Sequence, residues 1–226
     1  AGLDDTFAPR GYRDEKTNEL IGFDIDMGAE LAKRLGVTIE WQPTEWKGVE
    51  GALNAKKFDV IISGMSVTDK RKEVIDFSRN YVNAGIGMVV RKDNTSINSA
   101  EDLQGLGKKV ATQTGSSGYE ACEELGLKDV TLYDQYPESF QDLGIGRIEV
   151  IIVDVTTAAH YISKQPDAYK IVGERLVEEP YAIGIRKEDK DLKEAIDNAL
   201  NDMQKDGTLT AISMKWFGDD VIPKAQ

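Results

Sequence analysis

Short apolar runs rich in β-branched residues alternate along this chain with stretches in which apolar residues recur every three or four positions. The second pattern predicts helices over 23–35, closed by Gly36, over 49–56, over 118–125, closed by Gly126, and over 189–205, closed by Gly207. Strand candidates fall between them at 37–41, 59–62, 88–90, 109–112, 130–133, 149–153, 169–172 and 182–185. Strand and helix in alternation mark a parallel or mixed sheet covered by helices, so the fold class is α/β. The polar cluster over 92–99 reads as a surface loop leading into a short helix capped by Ser99, with Glu101 and Asp102 in its first turn. Near the other end, Trp216 and Phe217 are expected to pack into a core.

Two extended runs, 83–93 and 179–189, each carry glycine and end in Arg-Lys followed by acid. They fit a pair of strands crossing between two lobes, where glycine lets the backbone change, and they also fit two ordinary strands. A chain of 226 residues has room for two lobes of about 100 residues each. The net charge of −12 argues against nucleic acid, because phosphate binding needs a basic footprint. No run approaches the roughly 18 apolar residues of a membrane span, so the mature chain is expected to be soluble. It opens at Ala1-Gly2-Leu3 without a leader pattern, so an export signal is expected to be removed or never present. Cys122, the single cysteine, sits among acids that would raise its thiol pKa, and is expected to be a buried or half-buried helix residue.

The most informative stretch runs from Asp59 to Lys72, where an apolar strand empties into Ser63-Gly64-Met65-Ser66 and Thr68 then has N-cap chemistry. Loops after parallel strands are where ligands sit in open α/β sheets. A guanidinium one turn into the helix, Arg71, can clamp a carboxylate through two hydrogen bonds, or it is a solvated helix residue. Gln113-Thr114-Gly115-Ser116-Ser117-Gly118 opens a helix and reads either as an anion cradle or as a plain turn. Asp154 ends the apolar strand from Val150 and is either a helix cap or a partner for a cation. His160 has no nucleophile elbow or metal-ligand spacing beside it and reads as a surface helix residue. Asp24 and Asp26 complement a helix dipole and lack the spacing of a calcium loop.

Five segments in order carry a family resemblance: Gly2-Leu3-Asp4-Asp5-Thr6-Phe7-Ala8-Pro9, Gly22-Phe23-Asp24-Ile25-Asp26-Met27, the stretch from Phe58 to Arg71, Thr114-Gly115-Ser116-Ser117-Gly118, and Gly146 to Asp154. Together they resemble the polar amino-acid-binding proteins of bacterial ABC importers, the lysine/arginine/ornithine, arginine and glutamine binders. The resemblance implies a two-lobe periplasmic-binding-protein (Venus flytrap) fold, with a mixed sheet in each lobe and two crossover strands as hinge. Lobe 1 is expected over 1–86 and 185–226, and lobe 2 over 87–184. It implies capture of a free L-amino acid by lobe closure, with an ABC importer permease as partner, a monomer, no cofactor and no metal. The location implied is periplasmic or extracellular, or lipid-anchored.

By motif position, Arg71 should hold the ligand α-carboxylate, helped by the Ser66 hydroxyl and by N–H groups near Ser66 and Ser117. Asp154 should take the α-ammonium, with the Ser63 carbonyl and Ser66 assisting, and Gly64 belongs to the same binding loop. Side-chain selectivity should come from Asp4, Phe7, Trp46 and Gln113, with Glu45 nearby, which puts arginine first, then lysine, ornithine, glutamine and histidine. Arg10 departs from the family, standing where an apolar residue is usual, and at a pocket mouth it would repel a cationic ligand unless Asp4 or Asp5 neutralised it. The short run before Asp4 implies that most of the family's first strand is missing. A cyclohexadienyl-dehydratase-like enzyme on the same fold is an alternative; it needs a general acid, and beyond Asp154, which a ligand ammonium would engage, no second candidate stands out. A ligand-sensing domain of a receptor would use the same residues for signalling.

Overall fold

The apolar positions over 23–35 fall on one side of a helix. In the computed structural model, which describes residues 1–224, α1 (Phe23–Leu35) buries Phe23, Met27, Leu31 and Ala32 and stops at Gly36. The chain divides into two units, one made of Ala1–Asn83 with the segment from Glu179 onward, the other of Ala84–Glu178. The first unit opens with β1 (Gly2–Leu3), β2 (Thr6–Phe7), β3 (Gly11–Arg13) and β4 (Leu20–Ile21). After α1 come β5 (Gln42–Pro43), α2 (Val49–Asn54), β6 (Val60–Ile61), α3 (Asp69–Lys72) and β7 (Asp76–Phe77).

The chain enters the second unit within β8 (Val82–Arg91). There follow β9 (Val110–Gln113), α4 (Ser117–Glu124), β10 (Thr131–Tyr133), α5 (Tyr136–Gly144), β11 (Val150–Asp154) and α6 (Val155–Lys164). It leaves within β12 (Tyr169–Tyr181) and completes the first unit with β13 (Gly184–Ile185), α7 (Lys190–Lys205) and α8 (Thr208–Phe217).

Each unit has one mixed five-stranded sheet, ordered β5-β1-β6-β13-β7 in the first and β10-β9-β11-β8-β12 in the second. In the first, β1 runs parallel to β5 and β6, while β13 is antiparallel to β6 and β7. In the second, β9 is parallel to β10 and β11, and β11 is antiparallel to β8. All five residues of β11 and all four of β9 are buried, as strands covered on both faces must be. One apolar core gathers Trp46, Val49, Leu53, Ile61, Met65 and Ile75. The other gathers Ile86, Met88, Val110, Cys122, Val150 and Ile152.

The strand expected over 37–41 is not there. The strand there is β5, Gln42–Pro43, paired with Gly2 and Leu3, and Val37 is 58% exposed. The small antiparallel sheet of β2, β3 and β4 carries too few residues for its alternation to show in the sequence. The turn after the polar cluster is a short 3-10 helix over Ala100–Leu103, with the Ser99 N–H donating to Asp102 Oδ2 at 3.0 Å. Phe217 stacks on Phe23 at 4.9 Å between ring centroids. Trp216 is only half-buried, because its indole N–H reaches Asp26 Oδ2 at 2.7 Å while its ring meets the edge of Tyr12.

Ile152 is fully buried in the central strand β11, so Ile152→Ala leaves a cavity in a covered sheet. We expect a loss of about 2–5 kcal/mol in unfolding free energy, measured by urea denaturation followed by circular dichroism.

Candidate ligand-binding site

In the first unit, β1 and β6 are parallel neighbours, so the segments that leave their carboxyl ends emerge side by side. The Asp4 N–H accordingly donates to Ser63 Oγ at 3.0 Å. The Asp4 side chain is buried and its Oδ1 accepts from the Thr6 N–H at 2.9 Å and the Thr6 hydroxyl at 2.6 Å. Gly64 has φ 55°, and a Cβ built there would lie 2.9 Å from a ring carbon of Phe7 and 2.3 Å from Arg10 Cδ. Only glycine fits that place.

Ser63 and Ser66 are both buried. Thr68 caps α3 by accepting from the Arg71 N–H at 3.3 Å, which sets Arg71 in the first turn of the helix. Arg71 is 4% exposed, so it is not a solvated helix residue. Its Nη1 donates to the Ser66 carbonyl at 3.0 Å and its Nε to Glu50 Oε1 at 3.2 Å. The guanidinium carbon lies 5.2 Å from the centroid of the Trp46 ring. The structure thus ties Asp4 to Ser63, Phe7 to Gly64, and Arg71 to Ser66 and Trp46. Glu45 is exposed in the turn before Trp46, and the carboxylate that meets Arg71 is Glu50. Its signal in the sequence was its place one helical turn after Trp46.

In the second unit, the parallel neighbours β9 and β11 end in Gln113 and Asp154. Gln113 is buried and its amide donates to the Asp134 carbonyl at 2.9 Å. Asp154, 2% exposed, caps α6, its Oδ1 accepting from the Thr156 N–H at 2.9 Å, the Thr157 N–H at 3.0 Å and the Thr156 hydroxyl. Capping fixes the plane of the carboxylate and surrounds it with the positive end of a helix.

Ser117 is the first residue of α4, and Ser116 is its cap, accepting from the Tyr119 N–H at 3.2 Å. Gly118 follows because a Cβ there would stand 2.6 Å from the Thr112 hydroxyl and 2.9 Å from the Ile152 carbonyl. The Ser116 hydroxyl lies 3.3 Å from that of Thr112 and 3.4 Å from that of Tyr136. Burial pushes the Tyr136 phenol up to about 12, with the Asp154 charge adding to it, so the hydroxyl stays neutral. Sequence reasoning missed Tyr136. A strand over 130–133 followed by Tyr136-Pro137 is a helix start at the mouth of a strand, and that was the signal.

Residues 1–219 match the bacterial extracellular solute-binding proteins, family 3. The chain belongs to that family. The L-cystine-binding protein TcyJ of Escherichia coli (strain K12) is 38% identical to this family 3 protein over 223 residues, covering 97% of this chain and 82% of that protein. Among solved structures, an ancestral arginine-binding protein bound to arginine matches with a TM-score of 0.89 at 43% identity over 96% of each chain. A substrate-binding protein of an ABC uptake transporter from Streptococcus pneumoniae, with bound histidine, matches with a TM-score of 0.91 at 33% identity, covering 99% of this chain and 93% of that one.

The expected place of Arg10 needs correction. Arg10 does not stand at a pocket mouth; it is 0% exposed. Asp5 is engaged elsewhere, accepting from Arg13 Nε at 2.9 Å. His160 is half-buried on α6 with its ring edge against Tyr161. Among the described residues no group of His, Cys, Asp and Glu side chains is gathered as a metal site would require, and no helix is long and apolar enough to cross a membrane.

Cys122 is fully buried in α4, and burial, then the Glu123 charge, pushes its thiol up to about 12. An aromatic disulfide reagent at pH 8 should therefore leave the native protein unmodified and titrate one thiol per chain after unfolding. Because the folded pKa is raised, the stability this thiol contributes is complete below the ordinary thiol range. It falls as pH rises from about 8.5 toward the folded value.

Proposed function

We propose that this family 3 protein is an extracytoplasmic, monomeric solute-binding protein that captures one free polar L-amino acid, arginine first, for an ABC importer permease and does no chemistry on it. The observation that carries the reading is that each unit contains a buried charge, the two of opposite sign, each fixed within its own unit. Arg71 is anchored on the Ser66 carbonyl in the first unit and Asp154 on the amides of α6 in the second. A zwitterion leaving water loses several kcal/mol per charge unless each charge meets an opposite, hydrogen-bonded partner. In this reading Arg71 takes the α-carboxylate with the Ser66 hydroxyl and N–H groups near Ser66 and Ser117, and Asp154 takes the α-ammonium with the Ser63 carbonyl. A ligand that needs both partners favours a closed arrangement of the two lobes, which is the differential affinity a population shift requires.

The relatives are named for L-cystine, arginine and histidine, which share one amino-acid end and differ at the other. That supports a common clamp with a variable distal pocket formed by Asp4, Phe7, Trp46 and Gln113, floored by Gly64 and with Glu45 beside it. Asp4 supplies a buried carboxylate for a distal cation, and an aromatic face adds up to about 2 kcal/mol to a desolvated cation. These two features put arginine ahead of cystine, histidine and glutamine.

The test is a thermal-shift screen of the twenty amino acids, ornithine and cystine on protein unfolded and refolded to remove bound ligand. A true ligand at a hundredfold excess over Kd adds about 2.7 kcal/mol, or roughly 5–10 °C. Arg71→Ala and Asp154→Ala should each weaken binding by about a hundredfold or more in calorimetry, and Asp4→Asn should mainly reorder the ligands. No shift with any amino acid, or near-normal affinity in Arg71→Ala, overturns the reading.

A further inference from the structure

We propose that Arg10, Asp24 and Tyr81 act as positioning residues, a buried charged strut behind the Ser63–Ser66 loop that holds its backbone in the conformation a ligand reads. The proposal rests on the reading above that this loop meets the ligand. All three side chains are 0% exposed, and Arg10 is among the largest fully buried side chains among the described residues. The Tyr81 hydroxyl donates to Asp24 Oδ1 at 3.0 Å and is hydrogen-bonded by the Gly64 N–H. Arg10 and Asp24 both act on that hydroxyl through their charges, and the Asp24 N–H donates to the Arg10 carbonyl at 2.9 Å. The Arg10 guanidinium and the Asp24 carboxylate thus both bear on the Tyr81 hydroxyl from within the same buried region.

The strut meets the loop at two places. At Gly64 the Arg10 side chain lies where a Cβ would stand, and the Tyr81 hydroxyl engages the amide. At Ser66 the contact passes through Tyr181, whose backbone pairs with Ser66 and whose ring centroid lies 4.2 Å from the Arg10 guanidinium carbon. Phe217 flanks the same guanidinium at 5.2 Å, and the Tyr81 N–H donates to the Tyr181 carbonyl at 2.9 Å. Burial, then the Asp24 charge, pushes the Tyr81 phenol well above its ordinary value, so it stays a neutral donor and acceptor together. A left-handed glycine held from behind by both an acceptor and a wall has its conformation set before any ligand arrives, which removes an ordering cost from binding.

Tyr81→Phe deletes one oxygen and keeps the ring. We expect it to raise amide hydrogen exchange in a peptide spanning the Ser63–Ser66 loop of the unliganded protein by about tenfold, with the rest of the first unit unchanged. It should also weaken the best amino-acid ligand by about tenfold in calorimetry. Arg10→Met, which keeps length and loses charge, should act in the same direction, and Arg10→Lys, which keeps the charge and loses the planar stack on Tyr181, should fall between Arg10→Met and the wild type. Unchanged exchange in the loop overturns the strut whether or not a ligand is known, as does unchanged affinity in both Tyr81→Phe and Arg10→Met. Wild-type protein that binds no amino acid sinks the reading of the site and the ligand role with it, while the exchange measurement still decides whether the strut holds the loop.

Discussion

Water solvates a lone carboxylate or guanidinium far better than a protein interior does, and a charge carried inside must recover that loss from fixed partners. This chain takes Asp4, Arg10, Asp24, Arg71, Asp154 and Arg186 almost wholly out of solvent. Four of them show what holds such a charge. Asp4 accepts two bonds from Thr6, Arg71 leans on a carbonyl and a carboxylate, and Asp154 sits on the amides of its own helix. Arg186 donates to the carbonyls of Leu53 and Phe58 and meets Asp59 at 3.2 Å. The partners are mostly backbone, so the buried charges pin the loops that carry them.

The sheets decide where those loops gather. Two parallel neighbours present their carboxyl ends at one edge, which is why Asp4 reaches Ser63 and why Gln113 and Asp154 close adjacent strands. The antiparallel strands β8 and β13 fill the same sheets and bring the chain back without adding a loop at that edge. The candidate site residues are therefore distant in sequence and grouped by strand direction.

Some of this is legible in the sequence because it is local. The bounds of α1 follow from apolar spacing and Gly36, and Thr68 announces α3 because a hydroxyl before a helix has few other uses. Asp154 is read correctly as a cap, since its partners are the next residues in the chain. What escapes is set by pairing across distance. A two-residue strand such as β5 has no period, and its position depends on β1. Glu50 takes its role from Arg71 and Tyr136 from Ser116, each a contact between separate elements. Arg10 is the hardest case, because an arginine in isolation belongs on the surface and only the fold puts Asp24, Tyr81 and two aromatic rings around it.

The close fit of Arg10 against Gly64 also bears on how this loop can change through evolution. A side chain at position 64 has no room while Arg10 is present, and shortening Arg10 alone leaves a void among fully buried neighbours. Substitutions at these positions are then strongly epistatic, since neighbours that share one packed space do not contribute additively. A lineage that places a side chain at 64 must first change position 10, and the order of those steps, more than the availability of new side chains, limits which forms of the loop lie within reach.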